Sequence, residues 1–172
     1  MEQLSGAIFI KSIMKIRLAR DEDYAAIARL QRQTIRNINA KDYSEDQIYV
    51  WSVRTNAGRF RSNAHECKRW VAIEDDKIVG FCEHGFDCEL WGLYIHKDYV
   101  GKGIGSRLLK VAEDSLKKHG CKTITLKGTV TAKEFYQKQG YTVIKKDLHP
   151  VNDKKLEIFV MAKKLFGKKF SF

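Results

Sequence analysis

The spacing of apolar residues changes several times along the chain, and each change marks an element. Met14-Lys15-Ile16-Arg17-Leu18 alternates with the period of two that marks a half-buried strand. From Asp21, placed as an N-cap, Tyr24, Ile27, Leu30, Ile35 and Ile38 recur at near-helical spacing through Ala40, predicting an amphipathic helix. Ser44-Glu45-Asp46-Gln47 has the form of a capping box, Ser reaching the amide three residues on and Gln reaching back, and opens a second helix carrying Ile48 and Trp51. Residues 56–63 read as a basic loop. Trp70 to Ile73, the turn Asp75-Asp76, and Ile78 to Glu83 then form a hairpin. After a turn at Gly85-Phe86-Asp87, Cys88 to Ile95 is a third strand, apolar enough to be covered on both faces.

The next segment, Val100-Gly101-Lys102-Gly103-Ile104-Gly105-Ser106, leads into a helix from Arg107 to His119, with Leu108, Leu109, Ala112 and Leu116 on one face and Gly120 behind it. Glu113–Lys117 and Asp114–Lys118 are expected i,i+4 pairs on that helix. Thr123 to Leu126 is a short buried strand, which completes a βαβ unit and predicts a parallel pair. Thr131 to Gln139 is a last helix closed by Gly140, followed by strands over Tyr141 to Lys145 and Leu156 to Ala162. Glycines between a strand and a helix let backbone amides face inward, and the helix start adds partial positive charge, so phosphates bind there. The alternative is a plain tight turn, because the spacing matches neither G-x-G-x-x-G nor G-x-x-x-x-G-K-[ST].

The 172 residues are sized for one domain, expected over 14–165, with an N-terminal extension over 1–13 and a basic tail over 166–172. A hydrophobic share of 44% with 31% charged residues excludes disorder, and no apolar run nears the ~20 residues of a membrane span. Residues 1–14 lack a basic leader and a small-residue cleavage site, so the cytoplasm is the default location. Cys67, Cys82, Cys88 and Cys121 form no C-x-x-C pair and are expected to be reduced thiols. The net charge of +11 lies wholly after residue 100, where 17 basic residues face 6 acidic ones. That asymmetry calls for an anionic partner, a phosphorylated cofactor or a nucleic acid, or else is a solvated basic face.

A second motif follows the glycine loop: Ala132-Lys133-Glu134-Phe135-Tyr136-Gln137-Lys138-Gln139-Gly140-Tyr141. Together the two resemble the signatures of the GNAT superfamily of acetyl-CoA-dependent N-acetyltransferases, Q/R-x-x-G-x-G/A and then A-x-x-F-Y-x-x-x-G-F/Y. The likeness runs from Ile16 to about Lys164, and the stretch from Asp42 to Trp51 is similar to a subgroup of bacterial acetyltransferases. Two positions depart from the pattern: Val100 stands where Gln or Arg is usual and Thr129 where Asn is usual. The first removes a side chain but leaves the amides.

The resemblance implies an α/β (α+β) fold: a mixed, mostly antiparallel central sheet of about six or seven strands, about four flanking helices, and a splayed parallel central pair that admits acetyl-CoA. It places Leu93, Tyr94 and Ile95 along the pantetheine and Val100, Gly101, Lys102, Gly103, Gly105 and Ser106 around the diphosphate, with Thr129 and Tyr136 also at the cofactor. Arg107 is either a helper there or a solvated first-turn residue.

Acetyl transfer to an amine needs a neutral amine, oxyanion stabilisation and a proton for the departing thiolate. Tyr136 is the candidate acid, since a phenol near pKa 10 is protonated at neutral pH; the other reading is a ring packed for its area. Glu89, expected to share an alternating face with Trp91 and Leu93, is the candidate base, or else a solvated carboxylate. Glu83 and His84 are alternatives, and a carboxylate there also serves to select a cationic substrate. No metal is expected: His65, Cys67, Cys82, His84 and Cys88 fit no zinc spacing, and direct transfer needs no Cys–His nucleophile. The acceptor is expected to be a small-molecule or peptide amine, with Tyr43, Trp51, Arg59, Arg61 and Trp70 in the segments that wall its side. Competing readings are an acyl-CoA-binding regulatory module without turnover and acetylation of an RNA-borne or protein amine; a homodimer stays open.

Overall fold

Alternation in the central strands feeds two cores at once, one on each face of a sheet. The computed structural model describes residues 13–165; the expected extension, save Ile13, and the basic tail lie outside the described residues. In chain order the elements are β1 (Lys15–Leu18), α1 (Tyr24–Asn37), α2 (Glu45–Val53), α3 (Ala57–Ser62), β2 (Cys67–Glu74), β3 (Lys77–Gly85), β4 (Glu89–Ile95), α4 (Ile104–Lys118), β5 (Thr123–Thr129), α5 (Lys133–Lys138), β6 (Thr142–Val151) and β7 (Lys154–Lys164). The strands form one seven-stranded sheet in the order β1-β2-β3-β4-β5-β7-β6, antiparallel except for β4–β5. The mixed α/β architecture expected from the resemblance is therefore present, with five helices.

Trp70 and Ala72 of β2 join the core under α4, where Leu108, Leu109, Ala112 and Leu116 are buried. Val71 points the other way, into the core under α1 with Ile27, Phe60 and Phe81. A third cluster, Ile35, Tyr43 and Ile48 against Val151, Leu156 and Ile158, seats α2 on the β6–β7 end. Burial of apolar surface on both faces at about 25 cal/mol per Å² is what holds the layers together.

Several local expectations are corrected. Asp21 begins a short 3-10 turn and α1 starts at Tyr24; it is Asp23 whose carboxylate accepts from the Arg20 amide at 2.7 Å and pairs with Arg17 at 2.7 Å. The basic loop over 56–63 contains α3, because the Asn56 side chain caps the Arg59 amide at 3.0 Å and Phe60 is buried edge-on against Phe81. The capping box at Ser44 and Gln47 is present as read. Helix α4 starts at Ile104, inside the glycine loop, since left-handed Gly103 ends the loop there. Neither expected helical pair forms as read: Glu113 is buried and turned to the sheet, where Lys163 at 2.9 Å and the Tyr141 hydroxyl at 3.0 Å hold it, and Asp114 pairs with Lys110. Strands β6 and β7 are longer than read because Asn152, at φ +53°, turns one directly into the other.

Two features shape the middle of the sheet. Strands β4 and β5 pair only at Glu89–Thr125 and Leu90–Leu126 before they diverge. The register between β3 and β4 slips at the same place, Glu83 facing Gly92 and His84 facing Leu90, so Trp91 is an extra residue that bends β4 away. The slip also breaks the expected face of Glu89, Trp91 and Leu93: Leu90 and Leu93, three residues apart, both pack in the α4 core, while Tyr94 stacks on Phe81 at 5.2 Å on the other face. The second feature corrects the expectation of four reduced thiols. Cys88 and Cys121, just ahead of the two parallel strands, are brought to a Cα separation of 5.7 Å and joined by a disulfide, while Cys67 and Cys82 are free and buried.

That cross-link closes a loop of 33 residues. Its reduction is expected to lower stability by about 3 kcal/mol, read as a shift of the urea unfolding midpoint with and without dithiothreitol. The Cys121→Ser variant should show the lower midpoint under both conditions.

Candidate active site

The glycine loop ends in backbone groups with nothing in front of them. Gly101 (φ +80°) and Gly103 (φ +78°) hold left-handed conformations, and a Cβ at either would meet no atom within 4 Å. The Arg107 amide bonds back to the Gly103 carbonyl at 3.2 Å, so the amides just before it are the free first-turn donors of α4. At Gly105 a Cβ would lie 3.4 Å from the Phe135 ring, so the missing side chain lets α4 start against α5. Ser106 Oγ accepts from Gln139 Nε2 at 3.0 Å.

A cleft of about 360 Å³ runs from this loop into the gap between β4 and β5. Leu93, Tyr94, Ile95, Val100, Gly101, Gly103, Gly105, Ser106, Thr129 and Tyr136, all singled out from the sequence, line it. Lys102 does not; its ammonium sits 4.6 Å from the Tyr99 ring centre. Arg107 is exposed. The Ile95 carbonyl already accepts from Thr34 Oγ1 at 2.9 Å, and Thr129 Oγ1 accepts from the Ala132 amide at 3.2 Å. Thr131, missed in the sequence, also lines the cleft and has a buried hydroxyl without a partner among the described residues. The open amides and this orphaned hydroxyl fit a ligand rich in oxygen at the loop end.

Tyr136 is only 6% exposed, its ring set edge-on to Phe135 and Tyr141 with centroids 5.2 and 5.7 Å away. Gly128 lies beside it, where a Cβ would crowd Met161 Sδ at 3.0 Å. Burial pushes its phenol well above the ordinary tyrosine value, with Tyr94 and Cys82 adding to the rise. The hydroxyl is therefore a proton carrier at any physiological pH, and no described residue hydrogen-bonds to it. Burial likewise takes Tyr94 up to about 12.

A second cleft of about 320 Å³ shares Leu90, Trp91, Tyr94, Lys127 and Thr129 with the first, so the two meet where β4 and β5 part. Glu89 and Glu83 both line it, in different states. Glu83 is 4% exposed and locked to Arg69 at 2.6 Å, whose guanidinium also reaches the Phe60 carbonyl and Asn63. Glu89 is partly exposed and meets Lys127 at 3.7 Å. His84 lines neither cleft: it is packed on Trp70, with Nδ1 2.7 Å from the Gly85 carbonyl oxygen, and burial lowers its pKa. Of the residues expected on the acceptor side, Trp51 and Arg59 line this cleft. Tyr43 instead bridges the Glu157 carbonyl at 2.6 Å and the Val130 amide at 3.0 Å, Trp70 is core, and Arg61 pairs with Asp21. Gln31, Arg54 and His149 complete the wall without any local signal, since α1, α2 and β6 converge only through tertiary packing. Among the described residues no cluster of three or more His, Cys, Asp or Glu is placed for a metal ion.

Two clefts that join through a gap in a sheet, one of them ending at free helix amides, define an enzyme of group transfer between a donor and an acceptor held on opposite sides. The family model described as an acetyltransferase (GNAT) domain matches residues 39–165, and the chain belongs to this family of acyltransferases. It is 25% identical to the uncharacterized N-acetyltransferase YafP of Escherichia coli (strain K12) over 135 residues, which cover 77% of this chain and 83% of that protein. Among solved structures it is similar to a GCN5-related N-acetyltransferase from Rhodopseudomonas palustris, with TM-score 0.84, 27% identity and coverage of 88% of this chain and 95% of that one. It is also similar to the PaiA N-acetyltransferase from Thermoplasma acidophilum in complex with coenzyme A, with TM-score 0.75, 27% identity and coverage of 88% and 99%.

The two carboxylates separate experimentally. Glu83→Ala leaves a buried guanidinium unpaired and is expected to cost about 3 kcal/mol of stability by chemical denaturation, whereas Glu89→Gln, at a partly exposed site, should cost less than about 1 kcal/mol.

Proposed function

We propose that this chain transfers the acetyl group of acetyl-CoA directly to a primary amine, with Tyr136 as general acid and Glu89 as base. The observation that carries the reading is the Tyr136 hydroxyl: buried, held protonated, without a hydrogen-bond partner among the described residues, and in the same cleft as the glycine loop. Acetyl-CoA supplies an activated acetyl thioester. The amides of Gly103 to Ser106 and the helix dipole bind its diphosphate, and the Thr131 hydroxyl is a further donor in that cleft. Beyond Leu90, β4 has no strand partner on the β5 side, so its backbone groups there are available to an extended, amide-bearing chain.

The amine enters from the second cleft. Glu89, not Glu83, takes its proton, because Glu83 is engaged by Arg69 at 2.6 Å and Glu89 meets only the longer contact to Lys127. As the carbon–nitrogen bond forms and the carbon–sulfur bond breaks, Tyr136 gives its proton to the departing sulfur. Cys82 is no nucleophile for a two-step route: burial pushes its thiol far up and Sγ lies 3.3 Å from the Leu108 carbonyl oxygen.

A thiol-release assay with acetyl-CoA and a panel of amines tests this. Tyr136→Phe is expected to lower kcat about 100-fold, the usual weight of a general acid, with the Kd for CoA within about threefold of wild type. An unchanged kcat removes Tyr136 from the chemistry. Binding of acetyl-CoA with no release accelerated by any amine favours a module that binds acyl-CoA without turnover.

A further inference from the structure

The second cleft carries more positive charge than its carboxylates answer. Its charged walls are Glu83, Glu89, Arg54, Arg59 and Lys127, with His149 among them. Glu83 is neutralised from behind by Arg69, which lies outside the cleft, and Glu89 is matched by Lys127. Among the described residues no carboxylate stands within ion-pair distance of Arg54 or Arg59; Arg54 closes the C-terminal end of α2, and Arg59 lies 5.8 Å from the Phe60 ring. Burial disfavours the protonated form of His149, and the nearby Lys127 and Arg54 add to this.

The rest of the wall is mixed, the Gln31 amide and the Tyr94 phenol standing beside an apolar stretch. Trp51, Val151, Leu156 and Ile158 form that stretch, and Trp51 is held edge-on to Tyr43 at 5.8 Å, itself tied down at both lone pair and proton of its hydroxyl. The volume of about 320 Å³ is that of a small-molecule site. Both arginines are exposed and so form its rim, while Leu90, Trp91 and Thr129 form the end that opens to the first cleft.

Building on the amine-transfer reading above, we infer that the acceptor is a small amino-carboxylate with an apolar body, its carboxylate held by Arg54 and Arg59 at the rim and its amine turned to Glu89. A guanidinium is suited to this because its planar fork matches a carboxylate with two parallel hydrogen bonds. A polyamine fits badly, because its second ammonium would enter a cleft already walled by Arg54, Arg59 and Lys127. The apolar stretch then receives the side chain of the amino acid.

The test is thiol release by the full chain with matched amines: phenylalanine against phenethylamine, leucine against isoamylamine, and spermidine alone. Phenylalanine and leucine are expected to exceed their decarboxylated counterparts in kcat/KM by at least about tenfold, the usual worth of a hydrogen bond to a charged group. In the Arg54→Gln/Arg59→Gln double variant that ratio should fall toward one, and in Arg59→Glu spermidine should overtake phenylalanine. Both positions are exposed, and CoA titration, which reads the other cleft, verifies that the variants are folded. A wild-type preference for the decarboxylated amines or spermidine, or a ratio that the double variant leaves unchanged, overturns the inference while leaving amine transfer intact. Thiol release that responds to none of these amines, with CoA still bound, overturns the inference, and silence across the whole amine panel as well is the failure of the amine-transfer reading itself.

Discussion

Strands β4 and β5 share only two register positions, and the rest of the site depends on their parting. A parallel pair that continued to its full length would close the sheet and leave no passage between its faces. The extra residue at Trp91 bends β4 outward, and β5 is kept in place by pairing with β7 along all of its seven residues. The Cys88–Cys121 bond fastens the closed end of the wedge. Backbone groups exposed along the open end need partners, since buried and unpaired they are costly. A bound chain with its own amides answers that need, so the gap is at once a weakness of the sheet and the means of binding.

Chemistry is then distributed by what each side of the gap can hold. On the α4 side, free helix amides and a protonated Tyr136 meet anionic and leaving groups. On the other, Glu89 keeps a loose ion pair while Glu83, six positions earlier, is given over to Arg69 and to the core. On the proposed reading the same residue type serves transfer at one position and stability at the other, and only the tertiary partner tells them apart. Gly105 matters for a related reason: lacking a side chain, it lets α4 start close against the Phe135 ring.

Most of the fold, and most of the residues that line the first cleft, were legible because their signals are local. The glycine loop, the motif from Ala132 to Tyr141, the Ser44 capping box and the period-two strands each lie within a short window, and all fell where the sequence put them apart from end residues. Tertiary partners were not legible. The disulfide joins residues far apart in the chain, and only the parallel pairing sets them side by side. Helix α3 is too short to show a period and is held by Phe60 in the core. Glu113 read as a solvated helix residue because Lys163 and Tyr141 arrive from distant segments. Arg54 and His149 reach the second cleft from α2 and β6, which no spacing in the sequence relates.

The central claim is that the loop at the mouth of the gap is what holds acetyl-CoA, and calorimetric titration of acetyl-CoA into the wild-type chain and Gly103→Val tests it most directly. At φ +78° a β-branched residue is strained, and it would put a side chain into the open space at the loop. The account predicts saturable binding by the wild type, weakened at least about tenfold in a variant that circular dichroism shows to be folded. Equal binding by the two proteins, or none by the wild type, would contradict it.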